Sequence, residues 1–136
     1  MLVGHESKRP KSAVKHFTDL KVWQKAHQLF LDVLQDIEYF PRTAAGRVLQ
    51  DELLRSVGSI SANVAEGFNA RSTTEYIHYL DIARRTASES ENWYYKIRDA
   101  GFLKVEVAER RVDQCVEVCK MLQSMISKLE KRCIKG

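Results

Sequence analysis

Apolar residues recur at helical spacing along four long stretches of the chain, and strand-like alternation is nearly absent. The first stretch predicts a helix that starts at Thr18 or Asp19, both good N-caps, and ends before Pro41. Leu20, Trp23, His27, Phe30, Leu34 and Ile37 mark one seam along it, spaced alternately by three and four residues. Val22, Ala26, Leu29 and Val33 mark a second seam beside the first. Two seams cover about half of the circumference at roughly 100° per residue, more than one bundle core needs. A monomer would leave either the Trp23 seam or the Val22 seam facing water as a contiguous patch. The spare seam predicts self-association, with Val22, Ala26, Leu29 and Val33 as the candidate oligomer interface.

The second helix is expected to start after Thr43 and run to about Glu66, with Leu49, Leu53, Val57, Ile60 and Val64 as its stripe. Gly67 then supplies the left-handed residue that commonly ends a helix. A third helix opens at Ser72-Thr73-Thr74-Glu75, a capping box in which Ser72 and Glu75 satisfy each other's backbone donors. Its seam is Tyr76, Leu80, Ala83, Ala87, Ser90, Tyr94 and Ile97, and Gly101 stops it. The fourth seam, Val105, Ala108, Val112, Cys115, Cys119, Leu122, Ile126, Leu129 and Cys133, is the most regular. A sustained repeat near 3.5 residues gives left-handed, knobs-into-holes packing, and short connections make neighbours antiparallel. The fold class is therefore all-α: an antiparallel, left-handed, up-down-up-down four-helix bundle over residues 17–133. A flexible basic tail, 1–16, precedes it, and 134–136 form the C-terminal end.

Size and charge narrow the function. A chain of 136 residues with 44% hydrophobic composition buries enough surface to fold without a metal or disulfide staple. The formal charge is +4, but it is unevenly placed. Residues 1–16 hold Lys8, Arg9, Lys11 and Lys15 against Glu6, leaving 18 basic and 17 acidic residues for the nearly neutral body. A second basic cluster, Lys128, Lys131, Arg132 and Lys135 against Glu130, ends the chain. Lys8, Arg9, Lys11 and Lys15 are the candidate contacts to nucleic-acid phosphates, with ordinary solubilising termini as the plainer reading. The N-terminal segment lacks the apolar core of a signal peptide, and no stretch approaches the ~18 apolar residues of a membrane span, so a cytoplasmic location and no membrane partner are expected. Three cysteines, an odd number, argue against a disulfide framework.

Catalytic and ligand signatures are weak. His27 lies on a seam, where a core or interface histidine is expected, and His78 falls between seams. Cys115 and Cys119 share a helical face, but no nearby Cys or His completes a tetrahedral set, so the cysteines read as small buried hydrophobes. Nucleophile elbow, phosphate loop and dinucleotide fingerprint are all missing. Glu89 and Glu91 read as solvated helix charges. No catalytic residue, cofactor, metal or small-molecule substrate is expected. One stretch, "SISANVAEG" from Ser59 to Gly67, places Glu66 where its own helix dipole disfavours it. Ser56, Ser59 and Asn63 fall along one border of that helix. The next helix begins about six residues on, so its free N–H groups and Arg71 are natural partners for the carboxylate. Asn63, Glu66, Arg71, Ser72 and Glu75 are thus expected to form a structural polar corner, preferred to an enzyme site built on Asn63, Glu66 and Arg71.

"FTDLKVWQKAHQL" at 17–29, then "SISANVAEG", then Arg71-Ser72 with Glu75, then "LDIARRTASESE" at 80–91 occur in an order that resembles the bacterial four-helix bundle protein family, first met as reading frames inside intervening sequences of large-subunit ribosomal RNA genes. The resemblance covers about residues 17–130, and Arg85-Thr86 departs from the small Gly-Ser pair usual there. It implies an all-helical bundle that assembles into a ring-like homo-oligomer, often a pentamer. A more distant fold relative is the accessory protein of diversity-generating retroelements, a basic pentamer that binds nucleic acid and a reverse transcriptase. The leading expectation is a non-enzymatic oligomeric scaffold with DNA or RNA, or a nucleoprotein, as its partner. The alternative is a structural or protein-interaction module with no nucleic-acid role.

Overall fold

The computed structural model describes residues 14–135, and these hold four α-helices and no strand. A 3-10 turn, Phe17–Asp19, leads into α1 (Lys21–Asp36), and a second, Ile37–Tyr39, follows it before Pro41. α2 spans Ala44–Phe68, α3 spans Thr73–Asp99 and α4 spans Val105–Lys135. Thr43 Oγ1 accepts from the Gly46 N–H at 3.1 Å and caps α2, which starts after Thr43 as expected, and Ser72 Oγ accepts from the Glu75 N–H at 3.1 Å as the expected cap of α3. The start of α1 differs. Thr18 and Asp19 belong to the 3-10 turn, where Asp19 Oδ2 accepts from the Lys15 and His16 N–H groups at 3.1 and 3.0 Å. Leu20 then takes the N-cap of α1 without a side-chain cap.

Contacts distant in sequence fix the register. Lys25 pairs with Glu117 at 3.2 Å between α1 and α4, and Arg98 with Glu109 at 3.8 Å between α3 and α4. Ser90 and Ser56 hydroxyls lie 3.0 Å apart between α3 and α2. Successive helices therefore run up, down, up and down, and an even number of passes returns the chain to the end where it began. The helices differ in length. α1 has 16 residues and α4 has 31, so at 1.5 Å per residue α1 spans about half the length of α4.

The core confirms the stripes of α2 and α3. Leu53, Val57, Ile60 and Val64 from α2 meet Leu80, Ala83, Ala87, Ser90, Tyr94 and Ile97 from α3, all fully buried. The α4 seam holds from Ala108 to Leu129, except that Val118 is buried where Cys119 was expected, and Val105 and Cys133 are exposed at its ends. The two α1 seams require a correction. Val22, Ala26, Leu29 and Val33 are not a subunit interface; they are 0–1% exposed and sit in the core of this single chain. Of the Trp23 seam, Leu20, Trp23, Phe30 and Ile37 are half-buried against the edge of that core, and His27 and Leu34 are exposed. The reason lies in the residue that continues the Val22 spacing, Asp36, which is held by α3 and α4 as described below.

Gly67 also plays a different part. It lies inside α2, which runs on to Phe68, and Gly101 is the described glycine with a left-handed φ, +75°. A Cβ at position 67 would stand 2.9 Å from Tyr76 Cδ1 and 3.0 Å from Tyr79 Cβ. Its missing side chain lets the first turns of α3 close onto the end of α2.

Leu29→Ala removes a fully buried side chain and is expected to cost about 2–5 kcal/mol in chemical denaturation. An unchanged midpoint would return the Val22 seam to the surface.

Candidate functional site

The most elaborate polar grouping is buried at the end of α1. Asp36 Oδ2 accepts from Tyr94 Oη at 2.7 Å and from Arg111 Nε at 2.7 Å, and Oδ1 accepts from Arg111 Nη2 at 3.0 Å. Arg111 Nη1 donates to Gln114 Oε1 at 3.1 Å, and Gln114 Nε2 donates to Asp32 Oδ2 at 2.9 Å. Burial and then the Asp36 carboxylate push the Tyr94 phenol above its ordinary value, so it stays protonated and donates. Burial opposes the Arg111 charge, but the bonds to Asp36 and the nearby Asp32 outweigh it and hold the guanidinium above its ordinary value. Among the described residues, no buried side-chain nitrogen or oxygen lacks a partner. Both oxygens of the carboxylate accept, and the phenol is held as a donor. This layer joins helices. It also floors an open cleft of about 850 Å³ between the end of α1 and the α3–α4 loop, lined in part by Tyr39, Phe102, Lys104 and Arg110.

The polar corner expected around "SISANVAEG" does not form. Asn63 Nδ2 donates within its own helix, to the Ser59 carbonyl and Oγ, both at 2.8 Å. Glu66 is exposed and makes no hydrogen bond or ion pair with a described residue. The Arg71 N–H donates to Glu75 Oε1 at 3.1 Å, so Ser72 and Glu75 cap α3 without Glu66, and Glu75 serves the residue before the cap rather than Ser72 itself. Helix phase explains the failure. Glu66 is nine residues beyond the buried Val57, half a turn out of phase with the core and therefore facing solvent. Asn63, Glu66 and Arg71 are not brought together, whether as a corner or as a catalytic group. Ser56 is fully buried rather than bordering the core, and it meets Ser90.

Two flanks of α1 differ sharply. Lys25, Asp32 and Asp36 face α4 and bond to it. The other flank is apolar. Phe30 lies over Gly58 of α2, where a Cβ would stand 3.3 Å from the ring. Leu31 and Leu34 are 40% and 41% exposed, and nearby in the chain Tyr39 and Val48 reach 77% and 59%. Near the start of α1, rings come together: His16 and Phe17 centroids at 4.2 Å, Phe17 and Trp23 at 5.6 Å, and Trp23 stacked on His27 at 4.7 Å with 12° between planes. Residues 16, 17, 23 and 27 do not read as an aromatic run, and the only hint of this grouping is the four-residue step from Trp23 to His27.

Of the candidate phosphate contacts, Lys8, Arg9 and Lys11 lie outside the described residues, and Lys15 is exposed. Lys128, Lys131 and Arg132 are exposed on the last turns of α4. Because α1 and α4 are antiparallel, these lie at the same end of the bundle as Lys15. Cys115 is buried and Cys119 half-buried, and burial pushes both thiols above their ordinary values, whereas Cys133 is exposed. Among the described residues no three His, Cys, Asp or Glu side chains gather as a metal set, and no helix is long and apolar enough to cross a membrane.

Residues 18–124 match the family described as 23S rRNA-intervening sequence protein. Among solved structures, the chain is similar to a protein from Bacteroides thetaiotaomicron described as having unknown function and belonging to the S23 ribosomal protein family. The two share 27% identity with a TM-score of 0.72, over 77% of this chain and 97% of that one. No curated protein matches.

Asp36→Ala leaves the Arg111 charge and the Tyr94 hydroxyl without their acceptor and is expected to destabilise the fold by about 3–5 kcal/mol. The double replacement Asp36→Leu with Arg111→Met should recover most of that loss in thermal unfolding. If the single variant unfolds like the parent chain, the layer does not hold α1.

Proposed function

Because the chain belongs to the 23S rRNA-intervening sequence protein family, we propose that it works as a non-enzymatic bundle that self-associates and holds DNA or RNA by its phosphates. The observation that carries this reading is that exposed Lys15 and exposed Lys128, Lys131 and Arg132 fall at the same end of the bundle. Lys8, Arg9 and Lys11 precede Lys15 in sequence and add to its charge. The body is nearly neutral, so a single subunit supplies few contacts. Several subunits in a closed ring multiply them by raising the effective concentration of each tail. Contacts of this kind go to phosphates and tolerate any sequence.

Self-association rests on the outward flank of α1. Leu31, Leu34, Tyr39 and Val48 are four of the large hydrophobic residues left exposed by the fold. They cluster in the chain around the end of α1 and the start of α2, away from the basic end. Closed rotational symmetry buries such a patch on every copy and leaves no open end. Five subunits is the number the family resemblance suggests. The near neutrality of the body, with 18 basic and 17 acidic residues beyond position 16, supports the second reading, a protein-interaction module without nucleic acid.

Light scattering after size exclusion should give the mass of several subunits for the parent chain. Leu34→Glu should bring that mass down toward one subunit with helical circular dichroism retained. A monomeric parent at micromolar concentration would end the oligomer reading.

Nucleic-acid retention should fall with salt, with a log–log slope of roughly −0.9 per phosphate neutralised on duplex DNA. Removing residues 1–13 should flatten the slope while leaving mass and helicity unchanged. If the full chain retains neither DNA nor RNA at about 50 mM salt, where phosphate contacts are strong, the interaction-module reading replaces this one.

A further inference from the structure

We propose that the rings gathered at the start of α1 form a stacking platform that makes single-stranded nucleic acid the preferred ligand. The proposal rests on the nucleic-acid reading above and adds which form of the polymer is bound and where. The 3-10 turn Phe17–Asp19 folds His16 and Phe17 back against the first turn of α1, and Phe17 reaches Trp23. One turn later His27 stacks on Trp23 nearly in parallel. The result is a continuous row of four rings with exposed histidines at both ends and half-buried Phe17 and Trp23 between them.

Charge complements the rings. Lys15 directly precedes His16 at one end of the row, is exposed, and forms no ion pair with a described residue. Lys8, Arg9 and Lys11 precede it in the chain. The acidic residue in the row's own turn, Asp19, is occupied by the backbone N–H groups of Lys15 and His16. Flat rings with an unpaired cation at one end match unstacked bases joined by phosphates, because every base offers a face to stack and every linkage offers a charge. Duplex bases already stack on one another and present only edges and backbone, so the duplex can use the lysines but not the rings. The aliphatic patch of Leu31 and Leu34 lacks this combination and lies further along α1.

The test uses the full chain carrying Trp93→Phe, which leaves Trp23 as its single indole. Adding oligothymidylate should quench Trp23 fluorescence, and its duplex with oligoadenylate should quench it far less at equal phosphate. His27→Ala and Trp23→Leu should each weaken the oligothymidylate complex about 5- to 150-fold, the loss expected for one stacked base. Duplex affinity, subunit mass and helicity should stay unchanged. His27 is exposed, so its variant carries the test if Trp23→Leu perturbs folding. Unmoved fluorescence with undiminished single-strand binding, while the tail still governs the salt slope, overturns the platform and leaves the phosphate reading intact. A change of subunit mass in either variant also overturns it, since the rings would then be a subunit contact. Failure of the full chain to bind either form overturns both readings.

Discussion

The orientation of α1 depends on one buried carboxylate. Asp36 takes three hydrogen bonds, one from Tyr94 on α3 and two from Arg111 on α4, and is 3% exposed. Burying such a charge is unfavourable unless every lone pair finds a donor. An apolar group of equal volume often serves stability as well as a buried ion pair does. It would not distinguish the two seams of α1. Asp36 can: it continues the three- and four-residue spacing of Val22, Ala26, Leu29 and Val33, so anchoring it turns that seam inward. The Trp23 seam is then left at the edge of the core, with His27 and Leu34 exposed.

The outward features of the helix follow from that rotation. The flank carrying Lys25 and Asp32 meets Glu117 and Gln114 of α4. The opposite flank presents Leu31 and Leu34 toward one end and the Trp23–His27 stack toward the other. The short α1 also leaves part of the longer α4 beyond its reach, and that part ends in exposed Lys128, Lys131 and Arg132. Hydrophobic and aromatic surfaces are therefore separated along α1, and the basic one belongs to α4.

The fold was legible because it rests on period and capping. Thr43 and Ser72 caps, the Leu53–Val64 stripe and the Leu80–Ile97 seam depend only on local spacing, which a sequence displays directly. The choice between the α1 seams was not legible from hydrophobicity, since both are apolar. Asp36 marked the answer, but a polar residue on a core seam reads as an interruption until its distant partners are known. Glu66 shows the opposite error. Its proximity to Arg71 in sequence suggested a corner, yet helix phase aims it away, and α2 continues past the point where Gly67 suggested a stop. Gly67 was informative for its lack of a side chain against Tyr76 and Tyr79, which only packing reveals. The ring row was missed because the turn at Phe17–Asp19 reverses the chain more tightly than a regular helix start.

Arg111 and Asp36 are 75 residues apart in sequence, whereas α2–α3 and α3–α4 contacts join neighbours across short turns. Chains dominated by local contacts fold fast, because little loop entropy is lost before each contact forms. Here all four helices can zip as consecutive hairpins, α1 on α2 included. The seam between α1 and α4 instead requires closing a long loop, at an entropic cost that grows only with the logarithm of its length. The same ion pair that sets the rotation of α1 thus makes the topological closure of the bundle, joining its first helix to its last.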